Sequence, residues 1–196
     1  MLNRIFNVPS PDCERRFSIS SPLARQDLAA SVRAALVEAG ASGRPVVILC
    51  IGTDRSTGDA LGPLTGSRLR TLYTYPHIFG TLDDPVHATN LADSLQSISK
   101  VFSNPYIVAV DACLGRLESV GCVTVGRGPL RPGAAVNKDL PPVGDICITG
   151  IVNVGGFMEH LVLQSTRLNL VMKMADAIAF GLATGLYDYE KGISSC

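Results

Sequence analysis

The stretch VVILCIGTDRSTGDALGP, residues 46–63, indicates the fold class of this chain. It begins with apolar and β-branched residues that do not alternate with polar ones, which is typical of a strand covered on both faces. A glycine-rich loop follows, and Pro63 suits the first turn of a helix. The loop contains Asp54 and Asp59. The sequence therefore predicts a buried strand that leads through an acidic loop into a helix.

This loop lies where phosphate-binding loops lie, between a strand and a helix, but its chemistry differs from theirs. It matches neither G-x-x-x-x-G-K-S/T nor G-x-G-x-x-G. It has no lysine, and a second aspartate at the strand-to-helix turn would repel a phosphate group. We therefore expect an acidic site here and no bound nucleotide.

Strand-like and helical patterns alternate along the rest of the chain. Three further segments are strand-like: YIVAVDAC (residues 106–113), ICITGIVN (146–153) and, more weakly, HIFGTL (77–82). Four segments are helical in pattern: residues 21–40, 63–72, 89–102 and 157–186. ESVGCVTVGRG (118–128) predicts an edge or antiparallel strand, and residues 129–145 a long loop. This order predicts a three-layer α/β/α sandwich, a mostly parallel sheet with helices on both faces.

The length of 196 residues allows one domain with a full core. Residues 1–20 show no strong periodicity and are predicted to form an N-terminal arm, which leaves residues 21–196 as the single domain. Hydrophobic residues make up 46% of the chain and charged residues 17%. Such a composition is typical of a compact globular protein and excludes a disordered one.

Charge and targeting signals exclude several function classes. The formal net charge is zero and no basic block is present, so we expect no nucleic-acid partner. Neither a signal peptide nor a run of 18 apolar residues is visible, so we expect a cytoplasmic protein that does not bind membranes. The six cysteines form no C-x-x-C pair, which predicts reduced thiols rather than a zinc or redox centre. We expect no metal and no cofactor.

Asp59 and Asp111 are the candidate catalytic residues. Asp59 follows the strand at 46–52, and Asp111 ends the strand-like run YIVAVD. Right-handed crossovers place the two strand ends at one edge of the sheet, where ligands of such folds bind. One carboxylate could then take a proton from water while the other acts as the acid. The helix N-terminus near Asp59 favours its charged form and the apolar run before Asp111 favours its neutral form, although the reverse assignment of roles stays open. Asp59 could also cap the following helix, unless Gly62 does so.

Other polar residues are assigned to the same crevice. Thr53, Asp54 and Asn153 are predicted to line it and to form hydrogen bonds with a substrate. Cys113 lies two residues beyond Asp111 and is either a nucleophile or, by our preference, a plain thiol. His160 is the histidine that topology places nearest, and with the two aspartates it would complete an O/O/N metal site.

Three stretches resemble the YyaC family of sporulation proteins: IGTDRSTGDALGPLTG, VAVDACLG and ITGIVNVGGFMEHLVLQSTRLNLVM. The resemblance covers about residues 20–186. A weaker likeness, carried by DALGP, VAVDA and RPGAAVNK, links the chain to the germination protease family of atypical aspartic peptidases. The essential aspartates of that family fall at Asp59 and Asp111. The hydrogenase-maturation endopeptidases are more distantly similar; they share the fold and hold a metal with acidic residues at these places and a histidine, for which His160 is the candidate here.

The resemblance implies a sporulation-associated endopeptidase that cleaves a protein segment, with small acid-soluble spore proteins as candidate substrates. It would act in the cytoplasm of the sporulating cell or forespore. Two alternatives stay open: an inactive sporulation factor that binds a protein partner in the same crevice, and a metal-dependent maturation-type peptidase. The apolar stretch LNLVMKMADAIAFGL (residues 168–182) is expected to pack flat on the sheet, with a homodimer as the alternative.

Overall fold

The computed structural model describes residues 15–132 and 140–193. They form six strands, five α-helices and a short 3₁₀ turn at Leu117–Ser119. The strands are β1 (Arg15–Ser18), β2 (Val46–Cys50), β3 (Ile78–Phe79), β4 (Tyr106–Gly115), β5 (Cys122–Arg127) and β6 (Ile146–Val154). The helices are α1 (Ala24–Ala41), α2 (Leu61–Leu72), α3 (Leu91–Val101), α4 (Glu159–Gln164) and α5 (Leu168–Ile193).

All six strands belong to one sheet, in the order β1-β5-β6-β4-β2-β3. The pairs β2–β3, β2–β4 and β4–β6 are parallel, whereas β5 runs antiparallel to both β6 and β1. The chain moves outward from β2 to β3 in one direction and from β4 to β6 in the other. The point between β2 and β4 is therefore the topological switch point, where open α/β sheets bind ligands outside the carboxyl ends of the strands.

Two apolar cores explain why the central strands show no alternation in sequence. On one face, Val46, Ile48 and Cys50 of β2 pack in a core shared with α1, α2 and α5. On the other face, Val47 and Leu49 pack with residues of α3 and of the loop after β5. Each strand residue is thus buried whichever way it points. The prediction of an α/β sheet with helices on both faces is confirmed.

The predicted boundary between arm and domain is too late. Arg15–Ser18, assigned to the arm, forms β1 and pairs with β5 from Arg15↔Val125 to Ser18↔Cys122. Four residues give too little periodicity for detection, and only the neighbouring strand makes them a strand. β5 is antiparallel as expected, but β1 covers it, so β5 is not the edge. Residues 1–14 of the predicted arm lie outside the described residues.

The predicted single helix at 157–186 is also wrong, because the chain turns at residues 165–167 between α4 and α5. Asn153, near the end of β6, donates hydrogen bonds from its amide to Val162 O and to Thr166 Oγ1, each at 3.2 Å. These bonds hold α4 over the end of the sheet, while α5 returns along its face. Periodicity could not show the break, since both helices carry apolar residues.

One helix of the described chain is long and apolar enough to span a membrane by length and composition, at Leu168–Lys191 with a mean hydropathy of 1.3. In the fold, 56% of the most apolar 18-residue window of this helix is buried. It packs against α1 and α2, and ion pairs join Asp176 to Arg68 (3.0 Å) and Asp188 to Arg33 (3.1 Å). These contacts make α5 a core helix packed on the sheet, as the sequence predicted.

Candidate functional site

The loop between β2 and α2 folds back tightly on the end of β2. Gly52 has φ +143°, and a Cβ at this position would lie 2.0 Å from Asp59 O, so only glycine fits. Gly62 allows an equally close approach, since its Cβ would lie 2.0 Å from Ile51 O. Thr53 N donates a hydrogen bond to Asp59 O at 3.2 Å. The glycines therefore bring Asp59 to the carboxyl end of the strand that it follows in sequence.

Asp59 precedes α2 but does not cap it. The N-cap residue is Ala60, which makes no side-chain capping bond, so both predicted caps, Asp59 and Gly62, are wrong. A turn closed by Ala60 N donating to Ser56 O (3.0 Å) leads into the helix. Gly58 N donates to Leu163 O of α4 at 2.9 Å, which fixes the loop against that helix. The Asp59 carboxylate is thus not engaged as the cap of α2.

Asp111 lies within β4 rather than at its end, because the strand continues to Gly115. What ends there is the pairing with β2: Val110 is the last residue of β4 opposite β2, and Asp111 pairs with Thr149 of β6. The strand is longer than the apolar run predicted because β6 continues to support it after β2 has turned away. Asp111 therefore stands at the switch point, beside the loop that carries Asp59.

The two carboxyl groups interact and have different environments. Burial raises the pKa of Asp111 well above its ordinary value, and the negative charge of Asp59 raises it further; a hydrogen bond from Ala112 N to Asp111 Oδ1 (2.8 Å) acts in the opposite direction. Burial also raises the pKa of Asp59, but the Thr53 backbone N–H and the charges of His87 and His160 lower it. Asp111 is therefore the group kept protonated, and Asp59 the group that ionises first.

His87 is a member of this site that the sequence analysis missed. Gly52 N donates to Val86 O at 2.8 Å, and Ile51 and Val86 form an isolated parallel bridge, so the chain at His87 runs beside the end of β2. The His87 Nδ1 atom lies 2.8 Å from Thr89 Oγ1. A single bridge leaves no strand pattern in the sequence, which is why only topology in three dimensions brings His87 to Asp59.

The predicted substrate-binding residues lie in two parts of the fold: two in the loop after β2 and one near the end of β6. Thr53 lies in the loop with its N–H directed at Asp59, and Asp54 is exposed beside it. Asn153 uses its amide nitrogen for α4 and its Oδ1 to accept from Val154 N at 2.9 Å. Cys113 is partly buried in β4. Contact of Thr53, Asp54 and Asn153 with a substrate stays a prediction.

Ser56 is a second residue that the sequence analysis overlooked. It is 8% exposed, and its hydroxyl has no hydrogen-bond partner among the described residues. An unpaired buried hydroxyl costs about 1–3 kcal/mol, so it is uncommon in folded proteins. No pattern in the sequence distinguishes it from the neighbouring polar residues of the loop.

The metal site considered from the sequence is not assembled. Within residues 15–132 and 140–193, no three His, Cys, Asp or Glu side chains are grouped so that they could hold a metal ion. His160 influences Asp59, but it is exposed on α4 and its Nε2 lies 3.2 Å from Gln164 Nε2. The site therefore consists of a pair of carboxyl groups with two histidines close to Asp59.

Comparisons with known proteins agree with this fold. The family described as "Protein of unknown function (DUF1256)" matches residues 17–181. The Bacillus subtilis (strain 168) protein described as "Uncharacterized protein YyaC" is 60% identical over 144 residues, which are 73% of this chain and 70% of that protein. The NiFe hydrogenase maturation protease HycI from Thermococcus kodakarensis KOD1 has a similar structure, with a TM-score of 0.51 and 21% identity over 73% of this chain and 92% of that one. At that identity, the likeness shows a shared fold.

Proposed function

The chain belongs to the DUF1256 family, and from that premise we propose that it is an aspartic-type endopeptidase that cleaves a protein substrate during sporulation. The observation that carries the proposal is the difference between the two carboxyl groups at the switch point. Asp111 is buried and held neutral, whereas Asp59 has a backbone N–H and two histidines that favour its charge. Pairs of acids whose environments separate their pKa values are typical of general acid–base sites.

In the proposed reaction, ionised Asp59 takes a proton from a water molecule while the oxygen of that water attacks the peptide carbonyl carbon. Protonated Asp111 donates its proton to the peptide nitrogen, which leaves as an amine when the C–N bond breaks. The water supplies the hydroxyl group of the new carboxylic acid, and Asp59 ends the cycle protonated. Transfer of that proton back toward Asp111 restores the starting state.

Two further considerations support a peptidase. HycI, whose fold this chain shares, is named a protease. The motifs DALGP and VAVDA also resemble motifs of the germination proteases, and this resemblance implies that Asp59 and Asp111 correspond to that family's essential aspartates. On this basis the substrate class is an extended or unfolded protein segment, with small acid-soluble spore proteins as the candidates, and the location is the cytoplasm of the sporulating cell or forespore.

A cleavage assay with purified protein tests the proposal. Small acid-soluble spore proteins are incubated with the wild type and with the Asp59→Asn and Asp111→Asn variants, and products are identified by mass spectrometry. Loss of a general acid or base should lower kcat by about 10²–10⁴ fold. Asp83→Asn, which removes an exposed carboxylate in the loop after β3, is the matched control and should cleave like the wild type.

Equal cleavage by all four proteins would overturn the assignment of the two aspartates. An inactive wild type, together with Asp→Asn variants that complement a deletion strain during sporulation, would favour the alternative of a non-catalytic factor that binds a protein partner.

A further inference from the structure

A group of exposed apolar side chains lies at the carboxyl edge of the sheet and has no role in the chemistry proposed above. We call it the apolar rim: Leu117, Val154, Phe157, Met158 and Leu161. Phe157 is 88% exposed and Leu117 74%. Large apolar side chains that face water together on a folded protein commonly mark an interaction site.

The apolar rim adjoins the catalytic pair. Gly155 N donates to Gly115 O at 2.8 Å, which joins the segment after β6 to the end of β4, the strand that carries Asp111. The same segment leads into α4, whose Leu163 O accepts from Gly58 N in the Asp59 loop. His160 on α4 is close enough to Asp59 to lower its pKa. A polypeptide that enters the site from this side must pass over the rim.

The backbone of the rim is held in an unfavourable conformation. Met158 has φ 56° and ψ 44°, a left-handed conformation that costs a residue with a side chain about 1–2 kcal/mol. Hydrogen bonds to Met158 O from Leu161 N (2.9 Å) and Val162 N (3.2 Å) maintain it. Strain of this kind is concentrated at functional sites, and here it accompanies a segment whose apolar side chains face solvent.

Charge indicates what the rim can bind. Between residues 154 and 161 the only ionisable side chains are Glu159 and His160. Glu159 Oε1 accepts a hydrogen bond from Gly156 N at 3.2 Å. Because Glu159 binds its own backbone and His160 lies close enough to Asp59 to lower its pKa, the remaining side chains that this segment offers to a ligand are apolar.

We propose that the apolar rim binds large apolar side chains of an unfolded polypeptide next to the bond that is cleaved. This inference rests on the proposed function and adds a substrate class to it: segments rich in Leu, Met, Phe or similar residues. A second copy of the chain is a poorer occupant. The five side chains are between 36% and 88% exposed, so at about 150–200 Å² for a fully exposed large apolar side chain they offer together on the order of 500 Å². A standard interface needs about 800 Å² per partner.

The test uses a labelled unfolded protein, reduced and carboxymethylated α-lactalbumin, with binding measured by fluorescence anisotropy. All variants carry Asp59→Asn to prevent cleavage. Phe157→Ser and Leu161→Ser should each weaken binding at least about fivefold. Val101→Ser is the matched control, because Val101 is 72% exposed at the end of α3 that precedes β4, at the opposite edge of the sheet. It should bind with unchanged affinity, and folded α-lactalbumin should not compete.

Equal binding by the rim variants and the Val101→Ser control would overturn the inference. A change from dimer to monomer on substitution of Phe157, measured by light scattering, would also overturn it, because a second copy of the chain would then be the occupant of the rim. Circular dichroism checks that both rim variants fold. If the wild type cleaves nothing and the rim variants still lose binding, the proposed function fails while the rim remains a binding site for polypeptides.

Discussion

Asp59 and Asp111 carry the same functional group, and their difference comes entirely from the atoms around them. Asp111 stands in the middle of a buried strand, 9% exposed, with one backbone N–H as its hydrogen-bond donor. Asp59 is half-buried in a loop, beside two imidazoles and a backbone N–H. Desolvation dominates at Asp111, whereas hydrogen bonding and charge partly offset it at Asp59. The fold thereby favours the neutral form of Asp111 over that of Asp59, in the direction that the apolar run before Asp111 indicates.

The raised pKa of Asp111 predicts that Asp111→Asn stabilises the protein at neutral pH. The unfolded chain ionises Asp111 as the pH rises through about 3.9. The folded chain keeps the proton until the pH passes the raised folded value. The wild type therefore loses stability across that window, and the variant does not, because asparagine cannot ionise. We expect the variant to melt higher at pH 7 and to match the wild type near pH 3.

Thermal unfolding followed by circular dichroism from pH 3 to pH 8 measures this difference. The gain at pH 7 should be about 1 kcal/mol or more, equivalent to roughly 2–4 °C in Tm for each kcal/mol in a protein of this size. Asp83→Asn serves as the control for the loss of an exposed carboxylate. A constant difference for Asp111→Asn would mean that the carboxyl group is ionised in the folded state.

Among the secondary-structure elements, α4 contributes most to the shape of the site. This six-residue helix is too short to be stable by itself, so its position depends on tertiary bonds. Gly58 holds it from the Asp59 loop, and Asn153 holds it from β6. Through these bonds α4 is fixed beside the Asp59 loop, with His160 close enough to Asp59 to lower its pKa. The turn at residues 165–167 is what allows α4 and α5 to serve different parts of the fold.

Removal of the Asn153 amide should release α4. Asn153→Ala is expected to lower the free energy of unfolding by about 1–2 kcal/mol, because Val162 O and Thr166 Oγ1 lose a donor. The double variant Asn153→Ala/Thr166→Val should lose less free energy of unfolding than the two single variants added together, since both substitutions break the same contact. Urea denaturation of the two single variants and the double variant provides the cycle. Unchanged stability with a raised KM would instead make Asn153 a substrate ligand.

For the whole molecule, the distribution of exposed apolar side chains bears on whether this chain of zero net charge associates. Outside the rim the exposed large apolar residues include four on α5 and several on other elements: Leu168, Met172, Phe180, Tyr187, Leu23, Val37, Leu72 and Val101. The continuous apolar face of α5 is directed at α1, α2 and the sheet. Along this helix Gly185 approaches so closely that a Cβ would lie 2.8 Å from Leu36 of α1. The apolar surface of α5 is thus largely used within the chain.

The protein is therefore expected to be monomeric at micromolar concentration. Its apolar rim is smaller than a standard interface requires, and the exposed apolar side chains of α5 are each only 40–54% exposed: Leu168, Met172, Phe180 and Tyr187. Size-exclusion chromatography with light scattering should give a mass near 20.7 kDa. A mass near twice that value, unchanged by Phe157→Ser, would identify another face, such as the exposed side of α5, as a homodimer interface.

Much of this architecture can be predicted from the sequence, because a strand that is buried on both faces is apolar at every position. Residues 46–51 and 106–110 are apolar without interruption, and only a central strand of a layered sheet needs that pattern. Asp111 is conspicuous in the sequence because a carboxylate beside such a run is costly to bury. The rule that parallel strands end at one edge then suffices to place it near Asp59.

The features that the sequence did not reveal are those that depend on a partner distant in the chain. β1 is a strand because β5 lies beside it, and α4 ends at Gln164 because Asn153 binds the turn that follows. His87 joins the site through one bridge between Ile51 and Val86. None of these contacts imposes a repeating pattern, so periodicity cannot report them.

The sequence by itself therefore determined the layered sheet and the two acidic positions at its carboxyl edge, because hydrophobic burial acts on every residue of a strand and makes a buried acid stand out. The tertiary structure alone decided which histidines lie near the two acids and where the apolar rim lies. Those properties depend on distances and desolvation between residues far apart in the chain, and these exist only once the chain has folded.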